Sequence, residues 1–277
     1  MPGGAANESF TIMSFLKKKY SLTTALAEKF SKLSSRSSYA AEYVSEGEED
    51  LTPEGSSLEL SGSSAPDATY RRELKTKARY PVTLDLPQVD GIPPLTFVGT
   101  GLRSETFMTV EFWIYTIGMY VEPSEVRGKL GSFKSCEPGT LHENEDFCRS
   151  LISMKGVTRV LRFVITLPGL KAGIVVSQFD KVLLPKMQKK GKEKEYRYIM
   201  ENMGKAKFRK GTKMFLALSR EGEVTCVCNG EILGAVKCDE LCESIMEIYF
   251  GDVPVSEDVK EKICNGVHAA LQDDFEE

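Results

Sequence analysis

One cation stands at the head of the most apolar segment of the chain. In FVGTGLRSETFMTVEFWIYTIGMYVE, Phe97 to Glu122, Arg103 is the single basic residue. A guanidinium stays charged at any physiological pH, and taking it out of water without a partner is costly. The only acid close by is Glu105, which a straight strand places on the same face, two residues away. Two chemistries are open to Arg103. It can pair internally with a protein carboxylate, or it can wait at the floor of an apolar cavity for the anionic head of a ligand, which a guanidinium grips bidentately.

The other reactive side chains are less suggestive. The seven cysteines are Cys136, Cys148, Cys226, Cys228, Cys238, Cys242 and Cys264. Their number is odd and their spacing shows no disulfide framework. With no secretory signal visible, a reducing compartment is expected. Cys226 with Cys228, and Cys238 with Cys242, place sulfurs on one face of a strand and of a helix. Zinc sites usually use two-residue spacers, however, and His142 and His268 are the only histidines. The cysteines therefore read as small buried hydrophobes, and no metal or cofactor is expected. Between Lys181 and Lys213, twelve basic residues meet only Glu193, Glu195 and Glu201. Such a stretch suits a solvated helix and loop, or peripheral contact with an anionic membrane surface. Nucleic acid is not expected as a partner, because the net charge is −4 and aromatics are not interleaved with the bases. No apolar run approaches the roughly 18 residues of a membrane span.

The elements that must position Arg103 lie in the last 200 or so of the 277 residues. Residues 1–45 are basic and hydroxyl-rich, with apolar residues near helical spacing, and resemble an organelle transit peptide. A plastid or mitochondrial destination is the expectation, with a cytoplasmic protein carrying an uncleaved tail as the alternative. Residues 46–78 are acidic and rich in Ser, Gly and Pro, a composition that reads as a disordered linker. Residues 79–277 form the expected domain. There, YPVTLDL, LTFVGTGLR and VTRVLRFVITLP read as strands, and ENEDFCRSLISMKG as a short helix. GTKMFLALSREGEVTCVCNGEILGAV reads as a hairpin followed by a further extended stretch, with turn signals at Gly222 and at Asn229-Gly230. Two helices close the domain, the second capped by Ser256. The segment from 106 to 121 is apolar on both parities, so a strand there is covered on both faces. The fold class is α+β, an antiparallel sheet with helices packed against it.

Three blocks, in order, are similar to the chalcone isomerase family. The first has Gly99 and Gly101 before Arg103, then Ile117-Gly118-x-Tyr120-Val121-Glu122. The second is FVITLPG, and the third is LGAVKCDELCESIMEIYFGDVPVSEDVK. The resemblance covers about residues 80–275. It implies an open-faced β-sandwich, a large antiparallel sheet with a helical layer and a cleft between them. It also implies three kinds of activity: ring-closing intramolecular lyases, non-catalytic partner proteins, and fatty-acid binders in which the Arg and a Tyr on the neighbouring strand segment hold the carboxylate. Where the lyases carry a Thr, this chain has Tyr115, with Thr116 next. Where they carry a Tyr and an Asn past Leu-Pro, it has Ile174 and Lys181, and the nearest phenol is Tyr196. The expectation is a non-catalytic fatty-acid or carboxylate-lipid binder. Arg103 and Tyr115 would hold the carboxylate, Thr116 would add a polar contact, and Phe112, Trp113 and Ile117 would line the cavity. A divergent lyase and a scaffold without ligand are the alternatives. Twelve residues of straight strand span about 40 Å, so sharing a ligand requires the chain to fold back between Ser104 and Thr109.

Overall fold

Gly99 and Gly101 alternate along one face of a strand, and a helix lies directly on the bare backbone they leave. The computed structural model describes residues 69–272 except Met108. All the packing below lies within one compact unit, residues 67–106 and 111–277. Its strands are β1 (Tyr70–Arg72), β2 (Arg79–Pro81), β3 (Thr83–Leu84), β4 (Leu95–Phe107) and β5 (Val110–Val121). After helices α1 (Pro123–Leu130) and α2 (Glu145–Ser153) comes β6 (Arg159–Ile165). Helices α3 (Ala172–Lys189) and α4 (Glu193–Gly204) lead into β7 (Lys213–Leu218), β8 (Glu223–Cys228) and β9 (Glu231–Lys237), and α5 (Asp239–Phe250) and α6 (Glu257–Gln272) follow. Strands β3 to β9 form a seven-stranded sheet in sequence order. This is the expected α+β architecture.

The fold-back required between Ser104 and Thr109 is present, because β4 ends at Phe107 and β5 begins at Val110. The two expected turns at Gly222 and Asn229-Gly230 join β7, β8 and β9, and all three residues have positive φ. The basic stretch from Lys181 to Lys213, expected as a solvated helix and loop or a membrane contact, holds the end of one helix, α3, and the whole of a second, α4. The linker expected over 46–78 needs correction at its end, because β1 pairs with β2 through Tyr70–Pro81, Arg71–Tyr80 and Arg72–Arg79. Polar groups stabilise this turn without a large apolar core. The buried Glu73 carboxylate accepts from the backbone N–H groups of Lys75 and Thr76 and from the Thr76 hydroxyl, and the Arg79 guanidinium lies 4.4 Å from the Tyr70 ring centre. The expectations for residues 1–68 lie outside the described residues.

The sheet has two covered faces, as the double-apolar β5 requires. Strand alternation sends Tyr115, Ile117 and Met119 to one face and Thr116, Gly118 and Tyr120 to the other. Pairing with β6 carries the division on, Tyr115 opposite Ile165, Ile117 opposite Phe163, and Thr116 opposite Val164. The Tyr115 face meets α5 and the Thr116 face meets the segment before β4. On the latter, Tyr80, Leu84, Leu86, Val89 and Leu95 pack on Tyr120, Val160, Val164, Phe215 and Val227. A Cβ on Gly118 would lie 2.5 Å from the Tyr80 ring, so that glycine is what lets the ring come so close to the strand. The Tyr80 and Thr116 hydroxyls are 2.6 Å apart, and burial pushes the phenol up to about 12. Tyr80→Phe is expected to lower stability by about 1–3 kcal/mol by stranding the buried Thr116 hydroxyl, with much less loss in the Tyr80→Phe/Thr116→Val pair. A urea-denaturation double-mutant cycle measures that coupling.

The cysteines are mostly core. Cys226 and Cys228 pair with Leu216 and Met214 across β7 and β8, and Cys242 is buried in α5. Burial pushes the Cys226 and Cys242 thiols up to about 12, against a counter-pull from Arg159 at Cys242. Among the described residues, no group of three or more His, Cys, Asp or Glu is arranged to hold a metal ion.

Candidate functional site

Tyr115 reaches the α5 side of the sheet and meets Tyr249, their hydroxyls 3.3 Å apart. Both phenols are buried. Phe163 joins them, with ring centres 5.5 Å from Tyr115 and 6.1 Å from Tyr249. Tyr249 sits on α5, and three bulky neighbours in its helix turn, Ile245, Ile248 and Phe250, are buried with it. In the sequence Tyr249 stands only inside the third block, on the first of the two closing helices. A phenol among such neighbours is a hydrogen-bonding group placed inside a core, and it was the one signal that could have singled it out.

Arg103 acts on this pair. Burial raises the Tyr115 hydroxyl and the Arg103 charge opposes the rise. Burial also raises Tyr249 well above the usual phenol value, Tyr115 adds to that, and Arg103 again opposes. Both phenols are therefore protonated donors at neutral pH. Two phenol O–H groups paired with each other, within the field of one guanidinium, are groups of the kind that favour a carboxylate.

Arg103 is already occupied. One terminal nitrogen donates to a Glu105 carboxylate oxygen, and the other donates to the Ser104 carbonyl at 3.1 Å. The side chains of Arg103 and Glu105 are 22% and 10% exposed. Of the two roles open to Arg103 in the sequence, the internal pair is the one present.

Arg103 is aimed by the strand below it. Cβ atoms on Gly99 and Gly101 would lie 2.8 Å from the Lys262 carbonyl oxygen and 2.5 Å from the Val259 Cα. Helix α6 is thus seated on β4 backbone. Two further bonds lock the seat just before Arg103, Leu102 N–H to Asp258 at 2.7 Å and the Ser256 hydroxyl to the Leu102 carbonyl at 2.8 Å. Ser256 also accepts from Val259 N–H at 3.4 Å, the expected N-cap contact. The Gly-rich stretch and the helix cap noted in the sequence act together, on one residue.

The remaining site residues divide between the faces. Ile117 is fully buried on the Tyr115 face. Trp113 shares that parity and donates from its indole nitrogen to Glu111 at 3.2 Å, which ties its polar edge to the exposed end of β5. Thr116 and Phe112 have the opposite parity. Thr116 bonds Tyr80 and cannot be a third polar contact beside Tyr115, because one residue along a strand reverses the face. Lys181 donates to Gln178 at 3.4 Å on α3, and the Tyr196 phenol donates to Asp180 at 2.8 Å, so that phenol is engaged elsewhere.

No family model matches the chain. Fatty-acid-binding protein 2 of Arabidopsis thaliana is 29% identical over 174 residues, which cover 60% of this chain and 43% of that protein. The chain spans less than half the length of this curated relative. A crystal structure of a fatty-acid binding protein of Arabidopsis thaliana superposes with a TM-score of 0.61 at 19% identity, covering 74% of this chain and 100% of that one.

Proposed function

We propose that this chain, which has the chalcone isomerase-like fold shared with that structure, binds a fatty acid or similar carboxylate lipid without catalysing its conversion. The observation that carries the reading is the buried hydroxyl pair of Tyr115 and Tyr249, 3.3 Å apart, which feels the charge of Arg103. The names of the two Arabidopsis proteins support it. Binding asks for one cation, hydroxyl donors and apolar walls. Burying eight methylenes contributes about 6 kcal/mol, at about 0.8 each, before the entropy of association is subtracted. That outweighs the head-group pair. Ring closure asks for more, a held phenolate and a polarised ketone, and Ile174 and Lys181 occupy the positions where the resemblance requires a Tyr and an Asn.

Glu105 already holds Arg103 and Phe163 packs near both phenol rings, so a ligand head must displace Glu105 to reach the guanidinium. This observation also favours a second reading, a scaffold that takes no ligand. Mass spectrometry of lipid extracted from the purified protein decides between the two. A bound fatty acid is the expected result, and a lipid-free protein that also fails to bind palmitate by calorimetry refutes it. Tyr249→Phe is expected to weaken palmitate binding about 10- to 100-fold, since a hydrogen bond to a charged group contributes about 1.5–3 kcal/mol. Unchanged affinity in that titration would remove Tyr249 from the site.

Peripheral membrane contact through the Lys181–Lys213 stretch is a further part of the proposal. Lys189, Lys194 and Lys207 are exposed there, near Val182 and Tyr198 in sequence. Other cations in the stretch are spent within the protein, Lys186 on Glu247 and Lys192 on Glu195 and Glu240. The organelle destination rests on residues 1–45 alone.

A further inference from the structure

We propose that Glu105 is a resident counter-ion, which a lipid carboxylate must displace to reach Arg103, and that it holds carboxylate affinity down while keeping Arg103 compensated in the empty site. The proposal rests on the fatty-acid reading of the site. Glu105 lies two residues after Arg103 on the same face of β4, and its carboxylate accepts from the guanidinium. Its negative charge also reaches the Tyr115 phenol, where it acts against Arg103. Glu105 thus stands where the ligand's head would stand, bound to the same cation and felt by the same phenol.

Two carboxylates sharing one guanidinium repel each other, so an incoming head must expel Glu105. A carboxylate replaces what Glu105 supplied, a full negative charge against Arg103. A neutral head, such as an alcohol, cannot. It either leaves Glu105 in place and forgoes Arg103, or strands a partly buried cation. An empty site with Glu105 in place is neutral, so Arg103 stays compensated when no lipid is bound.

The test compares palmitate with hexadecanol on the full chain, by displacement of a fluorescent fatty acid from wild-type, Glu105→Gln and Glu105→Asp proteins. Glu105→Gln keeps the shape and removes the charge. It is expected to raise the ratio of palmitate to hexadecanol affinity at least tenfold, mainly by tightening palmitate. Glu105→Asp keeps the charge on a side chain one methylene shorter and should give an intermediate ratio. If Glu105→Gln does not fold, the aspartate variant decides: a raised ratio supports the proposal and a wild-type ratio overturns it. If wild type binds palmitate and both variants keep its ratio, the counter-ion proposal alone falls. If no protein binds either lipid, the fatty-acid reading falls and the counter-ion with it.

Discussion

Gly266→Ala is expected to destabilise the protein by more than about 3 kcal/mol, beyond the usual overpacking range of about 1–3. A Cβ there would sit 1.4 Å from the Val98 carbonyl oxygen and 2.5 Å from its carbon. The obstacle is backbone on both sides, so no rotamer relieves it. Helix α6 must lift off β4, and Val259, Ile263, Val267 and Leu271, all buried on its inner side, lose part of their packing. The shift also loosens the bonds from Asp258 and Ser256 to Leu102, directly beside Arg103. Lipid affinity should therefore fall in whatever fraction still folds. Gly128→Ala is the control, since a Cβ in that α1 position meets nothing within 4 Å, and alanine is favoured over glycine in a helix by about 1 kcal/mol. Thermal melts of the two variants should move in opposite directions. A wild-type melt for Gly266→Ala would show that α6 does not rest on bare strand backbone.

Arg103→Ala should show two losses that can be separated. The first is lipid, with fatty acid expected to disappear from the extracted protein. The second is stability, because Glu105 remains, 10% exposed, without its cation. Removing one partner of a buried pair costs about 3–5 kcal/mol, and the partial exposure of Arg103 places the cost toward the lower end. The Arg103→Ala/Glu105→Ala double variant separates the two. Its melting temperature should recover most of the loss while lipid binding stays absent. If the double variant regains lipid, the guanidinium is not what holds the head. If Arg103→Ala alone melts like wild type, the pair with Glu105 contributes nothing to stability.

These predictions rest on residues of differing visibility in the sequence. Gly99, Gly101 and Gly118 stood out as part of a family pattern, but only packing explains them, as seats for α6 and for the Tyr80 ring. Tyr115 was marked beside Arg103, and the structure brings Arg103 to act on its hydroxyl. Thr116 was marked with it and faces away. Tyr249 carries one local signal, a phenol among bulky apolar neighbours, which does not by itself tell a phenol that completes a site from one that satisfies a core. In the Lys181–Lys213 stretch the lysines and glutamates point to one solvated helix and obscure the buried apolar stripes of two, Val175, Phe179, Leu183 and Met187 on α3 and Tyr196, Ile199, Met200 and Met203 on α4.

By itself the sequence determined what depends on near neighbours. The strand and turn periods, the Ser256 cap, the need for a fold-back after Ser104, and a cation at the head of an apolar segment are all settled over a few residues, by backbone geometry and the cost of burying charge. The tertiary structure alone decided which distant groups share a space. Tyr249 lies 134 positions from Tyr115, and their meeting follows from α5 packing across one face of the sheet. The same layering gave Thr116 to Tyr80. Whether Arg103 would pair with Glu105 or stand free was likewise open to the chain and closed by the fold. A same-face acid two residues away is an available partner, but burial is what makes Arg103 need one.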